Sequence, residues 1–151
     1  MRRSEKEITD KSAIEAIINA SLVCRLALSD GNQPYIVPLS FGYQDRTLYF
    51  HSAREGKKID IINKNNCVCF EFDLNTEIIE AEKACKWGMK YQSVIGFGKA
   101  VLVENIVEKE KALNIIINHY SKRNWQFPDE AIKKIAIIKI EIDKMIGKHS
   151  S

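Results

Sequence analysis

The chemistry in this chain concentrates in Ser52-Ala53-Arg54-Glu55-Gly56-Lys57-Lys58 and the histidine just before it, His51. Ser52 and Glu55 have the spacing of a capping box, which predicts a helix running through Ile59 and Ile62 to about Asn63. The positive end of a helix dipole favours acids in the first turn, yet Arg54, Lys57 and Lys58 crowd this one. Free backbone N–H groups, a serine hydroxyl and cations at a helix N-terminus are the parts of a phosphate site, and Gly56 lets a bulky group approach closely. The same residues also suit an ordinary N-cap with solvated lysines. His51 ends a strand at this turn, where its ring either faces whatever the phosphate carries or is a satisfied strand-end side chain.

Other motifs exclude more than they offer. Gly96-Phe97-Gly98-Lys99 lies inside a strand with no helix after it, so it fails as a dinucleotide fingerprint. His51, His119 and His149 have no HxH, HxxH or HExxH neighbours and no Ser stands in GxSxG, which removes support for metal hydrolysis and the commonest serine chemistry. His119 reads as structural. Cys24 and Cys85 are isolated, and Cys67 and Cys69 share one face of a strand without a CxxC pair, so all four read as buried reduced thiols rather than metal ligands. With 23 basic and 20 acidic side chains the net charge is only +3, and the cations are scattered. That argues against nucleic acid and for a small anion. The longest apolar runs, Ile115 to Ile117 and Ile135 to Ile138, fall far short of the ~20 residues of a membrane span. Met1-Arg2-Arg3-Ser4-Glu5-Lys6-Glu7 lacks the apolar stretch of a secretory signal, so a cytoplasmic location is expected.

The elements that must position these groups fit one domain over residues 1–151, with 45% hydrophobic residues to build its core. Thr9 or Asp10 caps a first helix whose apolar face is Ile14, Ile17, Ile18 and Leu22. Leu22 to Leu28 and Tyr35 to Tyr43 form a hairpin across Ser29-Asp30-Gly31-Asn32, and Gln44-Asp45-Arg46 turns into a third strand, Thr47 to His51. After the 52–63 helix, Cys67 to Asp73 alternates as a strand, and Leu74 to Lys86 is open between loop, helix and strand. Tyr91 to Glu104 is a strand bent at Gly96 and Gly98. A helix over about Lys109 to Lys122, a short one opened by Pro128 at its first position, and a last strand alternating Ile138, Ile140 and Ile142 complete the chain. Six or so antiparallel strands with a few short helices point to a small α+β barrel.

Three blocks, in order, carry a resemblance. They are Pro34 to Tyr43, then Leu48-Tyr49-Phe50-His51-Ser52-Ala53 with Gly56-Lys57-Lys58, then Trp87 to Ala100. Together they resemble the nitroimidazole resistance family of the pyridoxamine-phosphate-oxidase-like flavin-binding split barrels, and the ending from Ile142 to Ser151 is similar as well. The resemblance implies a six-stranded antiparallel split β-barrel with short flanking helices, paired as a homodimer with flavin in clefts between the subunits. It places Pro38, Leu39, Ser40 and Phe41 beside the isoalloxazine and His51 at its edge as the catalytic residue. Ser52 and Lys57 would hold the FMN phosphate, assisted by Lys58 or Arg54, while Tyr91, Ser93 and Val94 approach the other side. Trp125 or Phe127 of the partner subunit would cover the ring, although such a pair before a helix also suits core packing. The flavin is FMN, or FAD with its adenylate trailing outward. The implied reaction is flavin-dependent reduction of a nitroaromatic such as a 5-nitroimidazole, from nitro to amine. Two alternatives stand beside it: a pyridoxamine-phosphate oxidase, whose additional basic residues for a substrate phosphate have no counterpart here, and a flavin-binding protein without turnover.

Overall fold

The computed structural model describes residues 3–151, so Met1 and Arg2 of the N-terminal reading lie outside it. After a 3-10 turn at Ser4–Lys6 and a two-residue strand β1 (Glu7–Ile8), neither foreseen, helix α1 (Lys11–Ala20) starts at Asp10. The Asp10 carboxylate accepts the Ala13 N–H at 2.9 Å, satisfying one of the donors that a helix start leaves open. Strands β2 (Cys24–Asp30) and β3 (Gln33–Leu39) form the predicted hairpin, but with Asp30 opposite Gln33 the connection shrinks to Gly31-Asn32.

The strand expected over 35–43 is two strands. β3 ends at Leu39, Ser40 and Phe41 turn a corner, and β4 (Gly42–Gln44) pairs with β5 (Thr47–Ala53) at the far end of the sheet. Between β4 and β5, Asp45 and Arg46 both take positive φ, 50° and 59°, as a type I′ hairpin turn requires.

The capping box does not form. β5 pairs with β8 (Ile135–Ser150) from Thr47↔Glu141 through Ala53↔Ile135, so Ser52 is a strand residue opposite Ala136. A continuous ladder of backbone hydrogen bonds outweighs one local cap. Helix α2 (Lys57–Lys64) begins later, behind Gly56 at φ 130°, and no side chain caps it.

The segment left open by the sequence is the outer half of β6 (Cys67–Ile79), which slips register between Leu74 and Glu77, and a 3-10 turn at Ala84–Lys86 leads into β7 (Gly88–Val103). The predicted irregularity at the glycines is a register shift between Phe97 and Gly98. Asn105 caps α3 (Ile106–Tyr120), somewhat earlier than the apolar spacing suggested, and Pro128 is the residue before α4 (Asp129–Lys133) rather than its first. β8 extends well beyond the expected Ile138 to Asp143 on both sides.

All eight strands are antiparallel neighbours in the order β3-β2-β6-β7-β8-β5-β4, with β1 on the second half of β8. Six are long, and β1 and β4 add two short ones. The ladder stays open between β3 and β4, which makes this an α+β split barrel. Alternate residues fill its interior: Leu26 and Leu28 of β2, Leu48 and Phe50 of β5, Val68, Phe70 and Phe72 of β6, and Ile138, Ile140 and Ile142 of β8. Each such side chain contributes about 1.5–3 kcal/mol by leaving water. A second core under α3 and α4 gathers Val103, Leu113, Ile116, Ile132 and Ile137, so β8 is buried on both faces at Ile137 and Ile138. Only Cys24 is a buried thiol. Cys67 and Cys85 are exposed and Cys69 is half-buried: Cys67 and Cys69 alternate with buried Val68 and Phe70 on β6 and so face outward, and Cys85 lies in the 3-10 turn before β7. No helix among the described residues is long and apolar enough to cross a membrane.

Candidate functional site

At the start of α2 the only early backbone pairing is Asp60 N–H to the Gly56 carbonyl at 3.0 Å. The amides of Lys57, Lys58 and Ile59 precede the first intrahelical bond and remain available, as at any helix start. With no side-chain cap, and with Lys57 and Lys58 as the first two helical residues against one acid, Asp60, in the same turn, this end is net positive and favours an anion. Gly56 is required here, since φ of 130° is strained for any L side chain, and the space where a Cβ would sit is open. Lys57 is exposed, and its Nζ lies 4.8 Å from the centre of the Tyr35 ring on β3. Lys58 is half-buried. Arg54 turns elsewhere, its Nη1 donating to the Lys133 carbonyl at 3.0 Å.

The corner between β3 and β4 lies beside β5. Gly42 is opposite Tyr49, so the chain enters that register from Ser40 and Phe41 on the side of His51. Pro38 and Ser40 are exposed and Leu39 is half-buried, whereas Phe41 is fully buried, backbone included, so of the expected ring-side residues Phe41 is a packing residue and not a ligand contact. Helix α3 fixes the corner. Tyr120 Oη accepts the Phe41 N–H at 3.0 Å and donates to the Leu22 carbonyl at 2.7 Å. The Phe41 ring packs against Phe72 and His119, with centroids at 4.9 and 4.3 Å, and His119 Nε2 is 2.6 Å from the Ser21 carbonyl. His119 is thus structural, as read. His51 is exposed on the outer side of β5, opposite Ile137, and Ser52 is half-buried opposite Ala136.

Tyr91, Ser93 and Val94 are not brought to this place within one chain. Ser93 faces Lys148 and His51 faces Ile137 near opposite ends of the same sixteen-residue strand, roughly 35 Å of chain at ~3.3 Å per residue. Pro38 is likewise separated from β7 by β2 and β6, through Arg25 and Glu71, roughly 14 Å at ~4.8 Å per strand. Val94 is fully buried, and Tyr91 is half-buried with Lys148 Nζ 5.5 Å from its ring. Trp125 stands in the loop before α4, its N–H on Asn114 Oδ1 at 3.4 Å and Arg123 5.8 Å from its ring. Next to Pro38, Arg25 pairs with Glu71 at 3.3 Å and also with Asp73. Burial, then the Asp73 charge, pushes the Glu71 carboxyl up, against the pull of Arg25.

Sequence reasoning missed Tyr35 and Tyr120. Each acts on a residue far along the chain, and neither has a local motif that would reveal it.

The chain matches the family described as pyridoxamine 5'-phosphate oxidase over residues 10–149. It is similar to the crystal structure of a candidate 5-nitroimidazole antibiotic resistance protein from Bacteroides thetaiotaomicron, with 37% identity and a TM-score of 0.86 over 95% of this chain and 86% of that one. The fold is also that of the flavocytochrome Anf3 from Azotobacter vinelandii (17% identity, TM-score 0.88, covering 100% and 72%). A FAD and heme binding protein from Mycobacterium smegmatis shares it too (14% identity, TM-score 0.87, covering 97% and 74%). Comparison with curated proteins finds no match.

Proposed function

Because the chain belongs to the pyridoxamine 5'-phosphate oxidase family, we propose that it is a flavin-dependent reductase of small nitroaromatic compounds, working as a homodimer. The observation that carries this reading is the uncapped start of α2, with three free amides, Gly56 and Lys57, a few residues after the strand that presents exposed His51. A flavin phosphate would suit that cradle, with Pro38, Leu39 and Ser40 flanking the ring. FMN and FAD both carry that phosphate, and FAD would leave its adenylate outside. A flavin bound there supplies the hydride or electrons, while the protein supplies orientation and electrostatics.

The remaining steps belong to the chain. Amides at the α2 start and Lys57, and Lys58 beside it, neutralise the phosphate. The corner held by Tyr120 through the Phe41 amide fixes exposed Ser40, which would flank the ring. His51 holds a proton on its imidazole and delivers it as the nitro group is reduced. Tyr91 and Ser93 pair with the far end of β8 from His51, which supports a homodimer in which a two-fold copy would bring β7 to each cleft. The similarity to a candidate 5-nitroimidazole resistance protein favours a nitroaromatic substrate.

The test is an assay of the purified, flavin-loaded protein with a reductant. Loss of the nitro absorbance of a 5-nitroimidazole supports the reductase. Oxygen-dependent oxidation of pyridoxamine phosphate with an untouched nitroimidazole would show an oxidase instead, and bound flavin with neither reaction would show a carrier.

A further inference from the structure

Helix α3 carries a charge where its own period calls for an apolar residue. Lys109, Ala112, Leu113 and Ile116 form its buried face at i, i+3, i+4 and i+7, and Lys109 is only 6% exposed. Its Nζ donates to the Ile135 carbonyl at 2.9 Å. Among the described residues it takes part in no ion pair within 4.0 Å. An ammonium has three donors, and a buried cation without a counter-charge is costly.

Lys109 borders a cavity of about 250 Å³ between α2, α3 and the ends of β7 and β8. Ile59, Leu102 and Ile135 give it apolar walls, and Arg54 and Glu104 stand with Lys109 as its charged groups. One Arg54 nitrogen is engaged by the Lys133 carbonyl, which leaves other donors of the guanidinium fork free. The cavity lies on the Ile59 side of α2, whereas Lys57 reaches Tyr35 on β3.

We propose that this cavity is a second ligand site, separate from the flavin cleft, for a small organic carboxylate. The carboxylate sits between the Lys109 ammonium and the Arg54 guanidinium, and its short alkyl body lies on Ile59, Leu102 and Ile135. Two cations against Glu104 leave a surplus of one positive charge, which matches a monoanion better than a phosphate dianion. The volume is below the usual ~300–1,000 Å³ of sites for larger ligands, so the acid is short.

Calorimetric titration of the flavin-loaded protein with sodium butyrate tests this, with methyl NMR locating the site. Saturable one-to-one binding is expected, with shifts at Ile59 and Ile135. Butyramide should bind about tenfold more weakly or worse, as should butyrate to Lys109→Met, because a charge-assisted hydrogen bond is lost. Glu104→Gln should tighten butyrate binding by removing the opposing charge, an effect that a purely structural Lys109 would not produce. Equal binding of butyramide, unchanged butyrate affinity in Lys109→Met, or tighter binding of inorganic phosphate than of butyrate would each overturn the proposal. If Lys109→Met does not fold, Glu104→Gln decides: tighter butyrate binding supports the site and unchanged affinity overturns it.

Discussion

The ammonium of Lys57 stands 4.8 Å from the centre of the Tyr35 ring, tying the first residue of α2 to strand β3. An exposed lysine over the half-buried Tyr35 ring is worth only ~0.5–1 kcal/mol. A charge-assisted hydrogen bond to phosphate is stronger, at ~1.5–3 kcal/mol, so Lys57 should leave the ring for the ligand.

Lys57→Ala should therefore weaken FMN binding about ten- to a hundredfold and leave riboflavin, which has no phosphate, nearly unchanged. Flavin fluorescence titration measures both. Equal losses for the two ligands would mean that the substitution disrupts the whole cleft, and no loss for either would make Lys57 a surface lysine.

Tyr120 bridges the Phe41 amide and the Leu22 carbonyl, and so holds the corner against which the flavin ring is proposed to lie. Tyr120→Phe removes both bonds and leaves a partly buried amide unpaired. A stability loss of roughly 1–2 kcal/mol is expected in urea unfolding, together with weaker binding of FMN and riboflavin alike. Unchanged stability would show that solvent replaces the hydroxyl without cost.

Tyr43 gives the protein an alkaline dependence. Its Oη donates to Glu15 Oε1 at 2.9 Å, and burial first, then Glu15, raises its pKa from 10 to about 12. The neutral phenol is the form that the fold favours. Its contribution is fully present below pH 10 and is lost as pH rises toward about 12, because the unfolded chain ionises first. Tyr43→Phe should flatten the fall in urea midpoint over that window, and a wild-type slope in the variant would contradict this.

How far the sequence was legible varies along the chain. Periodicity located Ile14, Ile17 and Ile18 on α1, and alternation located Val68, Phe70 and Phe72 inside β6, because one-sided burial leaves that mark directly. Ser52 misled because a capping box is a local signal, whereas β5 is held by its partner β8, more than eighty residues away. The break at Ser40 and Phe41 was invisible for a similar reason: it depends on Tyr120, which only the assembled fold brings near. The basic helix start was legible, since three cations against a dipole conflict within one turn. Arg54 was grouped with it by proximity in sequence, but its guanidinium meets the Lys133 carbonyl instead.

His51 separates catalysis from binding. It is exposed on β5 near the corner but is not part of the α2 start, so His51→Ala should retain flavin and the proposed dimer. Turnover of a nitroimidazole should fall by about 10²-fold, the lower end for general acid–base catalysis. A flavin-loaded variant with unchanged turnover would remove His51 from the reaction, and an apo variant would make it a binding residue.

The most direct measurement is an anaerobic single turnover. Flavin-loaded protein is reduced, freed of excess reductant and mixed with a 5-nitroimidazole, and the flavin and nitro absorbances are followed together. The flavin should reoxidise in step with loss of the nitro band, and both should slow by about 10²-fold in His51→Ala. Flavin that stays reduced with the nitro group intact, and reoxidises only when oxygen is admitted, would contradict this.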